Sequence, residues 1–203
     1  MGQVGVYPQS IQFPIISISP SKYGFLKVGK WQDYADAHGL GTTKQFVVNH
    51  LFARPILISR RSLITGIGIR VATGVAGSKV YWGVYDDDGS CYPGKLLESG
   101  DLSGATAVNR LDNFSRIFEP GLYWQALGSA HTPTIKGIET SVDQYILGLN
   151  DFTSGGTDGA SGRFLDLTMV DITAGLPDPF TAGAIYDVGS NAPAAWLYLD
   201  SYL

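Results

Sequence analysis

The runs Leu63-Ile-Thr-Gly-Ile-Gly-Ile-Arg-Val71, Val80-Tyr-Trp-Gly-Val-Tyr85 and Gly121-Leu-Tyr-Trp-Gln-Ala126 decide the fold class. In each, apolar residues alternate with small or polar ones at period two. Clusters of Gly, Asp, Ser and Pro lie between the runs, as they do between half-buried antiparallel strands. The first run should present Leu63, Thr65, Ile67, Ile69 and Val71 on one face, with Gly66, Gly68 and Arg70 on the other. Two alternating glycines imply that a ring or backbone approaches closely there. In the second, Val80, Trp82 and Val84 oppose Tyr81, Gly83 and Tyr85, which makes Trp82 a core residue. In the third, Leu122, Trp124 and Ala126 oppose Tyr123 and Gln125.

Outward from these runs, strands are expected at 46–48, 55–59, 96–102, near 113–118, and at 134–139, 145–149, 164–170 and 183–188. Gly74 to Ser78, Asp86 to Lys95 and Glu119-Pro-Gly121 supply turns, and residues 151–162 read as an exposed loop. Many short strands with regular turn signals indicate an all-β, jelly-roll-like antiparallel sandwich. The expected division is an extended N-terminal arm over 1–45 and the sandwich over 46–203.

The arm carries Ile11-Gln-Phe-Pro-Ile-Ile-Ser-Ile-Ser-Pro20, β-prone but interrupted by Pro14 and Pro20. Proline cannot donate to a ladder, so the stretch suits an edge or an arm. A short helical turn is compatible with Val28 to Gly39. Apolar residues such as Ile11, Phe13, Ile15 and Trp31 cannot form a core of their own and should dock, on this domain or on a neighbouring subunit. At the other end, Ala195-Trp-Leu-Tyr-Leu-Asp-Ser-Tyr-Leu203 puts Trp196, Tyr198 and Tyr202 on one face and Leu197, Leu199 and Leu203 on the other. With both faces greasy, this strand is expected between the sandwich and a partner subunit.

A chain of 203 residues can bury a sizeable core, and 26 glycines with 12% aromatics suit strands and tight turns. Three glutamates are too few to lace helix faces with ion pairs. A net charge of -4, with Arg60-Arg61 the one adjacent basic pair, argues against a nucleic-acid partner. The lone Cys91 leaves no intrachain disulfide to form. Neither a signal peptide nor a membrane-spanning run is read, so the expectation is a soluble protein without membrane insertion.

Thr65 to Val71, Gly77-Ser-Lys-Val-Tyr-Trp-Gly-Val-Tyr-Asp-Asp-Asp-Gly89, Pro93-Gly-Lys-Leu-Leu97 and Pro120-Gly-Leu-Tyr-Trp124 together resemble a jelly-roll module of tailed-bacteriophage virion proteins. That module is found in tail-fibre, baseplate and other exterior components and is similar to carbohydrate-binding sandwiches. The resemblance spans about residues 46 to 150 and rests on turn and core positions. It implies a structural protein of a phage particle, a homotrimer that docks on other virion proteins.

Asp86-Asp-Asp-Gly89 offers the hard oxygen ligands calcium takes, but the EF-hand spacing fails because Leu97 stands where the bidentate Glu belongs. A solvated Asp-Gly turn explains the same residues. Tyr81, Tyr85, Tyr92 and Tyr123 could stack on sugar rings, or pack across the sheet or against a subunit. His38, His50 and His131 lack zinc spacing, and neither a nucleophile elbow nor a phosphate loop occurs. The expected protein is therefore not an enzyme and uses no cofactor. What the resemblance implies is an exterior tail or capsid-decorating component of the virion that self-associates and docks through its N-terminal arm. A glycan-binding adhesin is the alternative, and a polysaccharide hydrolase a more distant one.

Overall fold

The computed structural model describes residues 28–32, 42–139, 164–169, 171–187 and 191–203. Thirteen strands lie among them: β1 (Lys30–Gln32), β2 (Thr42–Gln45), β3 (His50–Ile58), β4 (Ser62–Thr73), β5 (Lys79–Asp87), β6 (Pro93–Ser103), β7 (Asn109–Phe118), β8 (Gly121–Ser129), β9 (Thr134–Glu139), β10 (Phe164–Thr168), β11 (Ile185–Asp187), β12 (Asn191–Pro193) and β13 (Trp196–Tyr202). Helix among the described residues is limited to one 3-10 turn, Ile172–Ala174. The chain is an all-β antiparallel sandwich. One sheet runs β1-β13-β4-β9-β12, with β7 also on β4 and β2 also on β9, and the other runs β11-β10-β3-β8-β5-β6.

Glycines with positive φ make two of the turns. Gly77 (φ 75°) sits between β4 and β5, where the Ser78 N–H donates to the Val75 carbonyl at 3.0 Å. Gly89 (φ 91°) turns the chain from β5 into β6. Pro55 interrupts β3 where it can be tolerated, since β10 accompanies β3 only along His50–Ala53.

The two sheets meet face to face over Ile64, Ile67, Ile69, Val71, Leu197 and Leu199 from one side and Phe52, Ile56, Val80, Trp82, Val84 and Leu127 from the other. Each fully buried aliphatic side chain here contributes roughly 1.5–3 kcal/mol of transfer free energy. The strict alternation expected along β4 is broken at one place. Register shifts beside Thr65 against both β7 and β13, so Ile64, not Leu63 or Thr65, joins Ile67, Ile69 and Val71 in the core.

A second shift in β13, between Leu199 and Ser201, corrects the expected aromatic face. Trp196 and Tyr198 lie opposite Gly68 and Gly66, away from the core, while Tyr202 lies opposite the buried Ser62. Its ring packs against the core and lies beneath the Arg60 guanidinium, 5.5 Å from the ring centroid.

The described parts of residues 1–45 are strands of the same seven-stranded sheet: β1 pairs with β13 and β2 with β9. Lys30–Gln32 is therefore extended, where a helical turn was compatible with the sequence. The expected strand at 145–149 and the loop at 151–162 lie outside the described residues.

Candidate functional site

The six-stranded sheet is covered on its second face as well. Residues 171–184 cross it as a strap: Asp171 accepts the Thr173 N–H to cap the 3-10 turn, and Ile172, Leu176, Phe180 and Ala184 press on Leu51, Tyr85, Trp124, Ala126 and Leu165. The sheet makes room with glycine. A Cβ built on Gly83 would fall 2.6 Å from the Leu176 Cδ1, and one on Gly128 would strike the Ile172 side chain.

This strap governs the tyrosines that the sequence offers for sugar stacking. Tyr85 is fully buried, its hydroxyl donates to the Pro177 carbonyl at 3.0 Å, and its ring meets Phe180 edge-on at 5.1 Å. Burial, with the Asp178 carboxylate nearby, pushes the Tyr85 phenol well above its usual range. Tyr92 also meets Phe180 edge-on; its hydroxyl donates to the Thr181 carbonyl and accepts the Ala184 N–H. Tyr81 is half-buried on the same face. Tyr123 is on the opposite side of the sheet, edge-on to Phe118, with its hydroxyl on the Glu119 carbonyl. The four rings do not form one platform: Tyr85 is removed from the surface by the strap, and Tyr123 belongs to the inter-sheet core rim.

The three aspartates of the Asp86–Gly89 turn are all hydrogen-bond acceptors. Asp86 takes the Lys95 N–H. Asp87 takes the Gly89 N–H at 3.0 Å and the Trp124 indole N–H at 2.9 Å. Asp88 takes the N–H and hydroxyl of Ser90, which hold its carboxyl below the usual carboxylate range. Among the described residues no group of three or more His, Cys, Asp or Glu side chains is placed to hold a metal ion. His50 pairs with Asp166 at 2.8 Å, and the buried Ser129 hydroxyl donates to the Lys79 carbonyl.

The sequence-predicted contact residues come together only in part. Ile11, Phe13 and Ile15 lie outside the described residues. The Trp31 backbone pairs with Tyr198 in β1. Trp196 and Tyr198 are half-buried on the outer face of the seven-stranded sheet. Two residues not singled out in the sequence share that face: Leu111, opposite Gly68, and Ile117, opposite Leu63, 59% and 45% exposed. Trp196, Gly68 and Leu111 thus form one row across three strands. The alternation Asn109, Leu111, Asn113, Ser115, Ile117 is the signal that could have found them. Among the described residues no helix is long and apolar enough to cross a membrane.

No protein-family model matches the chain, and no curated protein matches it in sequence.

Proposed function

We propose that the chain is a non-enzymatic structural component of a tailed-phage particle, a jelly-roll sandwich that associates with copies of itself, as a trimer, and with other virion proteins. The observation that carries this reading is the row Trp196, Gly68, Leu111 on the outer face of the seven-stranded sheet, with Tyr198 and Ile117 beside it. Apolar side chains clustered on an outer sheet face lose water when they meet another protein, and that loss drives assembly. Two further features support the reading. The core holds without a disulfide, since Cys91 is the chain's single cysteine. The residues that carry the phage-module resemblance fall where a sandwich needs them, with Trp82 and Trp124 buried and Gly77 and Gly89 in turns. The role belongs to the exterior of the virion, on tail or capsid, with residues 1–27 as the attaching segment.

Sedimentation velocity tests it. The full chain should sediment as a trimer at micromolar concentration. The Trp196→Ser/Leu111→Ser variant should sediment as a monomer that still unfolds in one cooperative transition, at a melting temperature that no longer rises with protein concentration. Deleting residues 1–27, which spares β1 and β2, should leave the trimer intact and abolish attachment to particles. A full-length chain that stays monomeric to high micromolar concentration would overturn the proposal.

A further inference from the structure

At one end of the sandwich β6 and β7, the outermost strands of their sheets, stand side by side. Among the described residues β6 pairs only with β5 and β7 only with β4. Side chains close this end: Arg116 Nη1 of β7 donates to the Leu97 carbonyl of β6 at 2.7 Å and to Glu98 at 3.0 Å, and Phe114 packs on Trp82. The outer backbone groups of such strands are a template for another chain.

The Val71 N–H donates to the Val108 carbonyl, and this sets the alternation along β7. Residues 110 and 112 turn their backbone groups toward β4, and 109, 111 and 113 turn theirs outward. The outward N–H of Asn113 is already taken. It donates at 2.9 Å to Asp112 Oδ1, while Asp112 Oδ2 accepts the Trp82 indole N–H at 3.0 Å. On β6 the Leu96 N–H donates at 3.0 Å to Asp178 Oδ1, a carboxylate delivered by the strap. Beyond Asn113 the register of β7 shifts where Phe114 and Ser115 face Thr65, which breaks the even spacing an added strand would follow.

We infer that Asp112 and Asp178 are edge guards, whose carboxylates occupy outward backbone N–H groups and bar a strand of a second copy from extending either sheet along its β6 or β7 edge. A strand arriving at β7 would have to displace a charged acceptor from Asn113 and bring its own carbonyl beside the Asp112 carboxylate. The inference holds independently of the virion role.

Asp112→Val frees the Asn113 N–H, but it also removes the indole bond. Trp82→Phe removes that same bond and leaves the guard in place, so the pair separates edge opening from loss of stability. Sedimentation and hydrogen exchange on both variants make the test. Asp112→Val should form species larger than the wild-type assembly at a concentration at least about tenfold lower than wild type. Amides 111 and 113 should become protected as it does so, and Trp82→Phe should show neither change. Larger species without that protection, equal behaviour of the two variants, or an Asp112→Val protein that assembles like wild type would each overturn the inference. Should Asp112→Val not fold, Asp178→Ala decides it through concentration-dependent protection of the Leu96 amide, and lack of protection there would overturn it.

Discussion

Both fully buried tryptophans of the six-stranded sheet give their indole N–H to an aspartate, Trp124 to Asp87 and Trp82 to Asp112. A buried donor without a partner loses its solvation for nothing, so these carboxylates matter to the core although they sit at its rim. Asp87→Ala should cost about 1–3 kcal/mol, read as a lower denaturant midpoint with an unchanged slope. Tyr85 supplies a pH test. Its phenol ionises far less readily in the fold than in the unfolded chain, because burial disfavours the charged form and the Asp178 carboxylate adds to this. The native state therefore holds this proton more tightly than the unfolded state does. The stabilisation is intact below about pH 10, the unfolded value, and is lost as pH climbs above it. Tyr85→Phe should lower stability at neutral pH by about 0.5–1.5 kcal/mol and flatten the alkaline decline, as measured by denaturation at a series of pH values. Trp82 is legible as core from alternation alone. The burial of Tyr85 is not, because the residues that cover it arrive some ninety positions later and carry no periodicity that announces where they fold back.

At the scale of the element, the strap over 171–184 holds its place with few side chains. Phe180 is 5% exposed and touches both Tyr85 and Tyr92, so Phe180→Ala should cost about 3–5 kcal/mol. New proteolytic cleavage within 171–184, ahead of global unfolding, is the accompanying measurement. Strand positions are readable in most places: the expected 134–139 is β9 itself, and 96–102 lies inside β6. Facing is less so. A single shift at Thr65 moves Ile64 inward, and another beyond Leu199 sends Tyr202 to the core side, and nothing in a period-two pattern marks either. The outer row on β13, β4 and β7 was half legible, Trp196 and Tyr198 from their own strand. Alternation along β7 marks Leu111 and Ile117 as one face of their own strand, but their joining this row depends on which strands become neighbours.

For the whole molecule, the decisive placement is that of β13, between β1 and β4. Leu197 and Leu199 belong to the central core, so a chain ending at residue 195 loses more than a terminus. Such a truncation should show no cooperative unfolding transition and no near-ultraviolet dichroism, whereas removing residues 1–27 should leave both. The pairings β4 with β13 and β3 with β8 join distant parts of the sequence, an arrangement that folds in milliseconds to seconds and not in microseconds.

That placement also sets a timetable for synthesis. β4 leaves the ribosome early, and its apolar residues must wait while β7, then β9 and last β13 are translated before the sheet around it can close. A nascent chain stalled before residue 196 would carry an unfinished sheet in which one flank of β4 meets solvent, open to chaperones and proteases until the ribosome resumes.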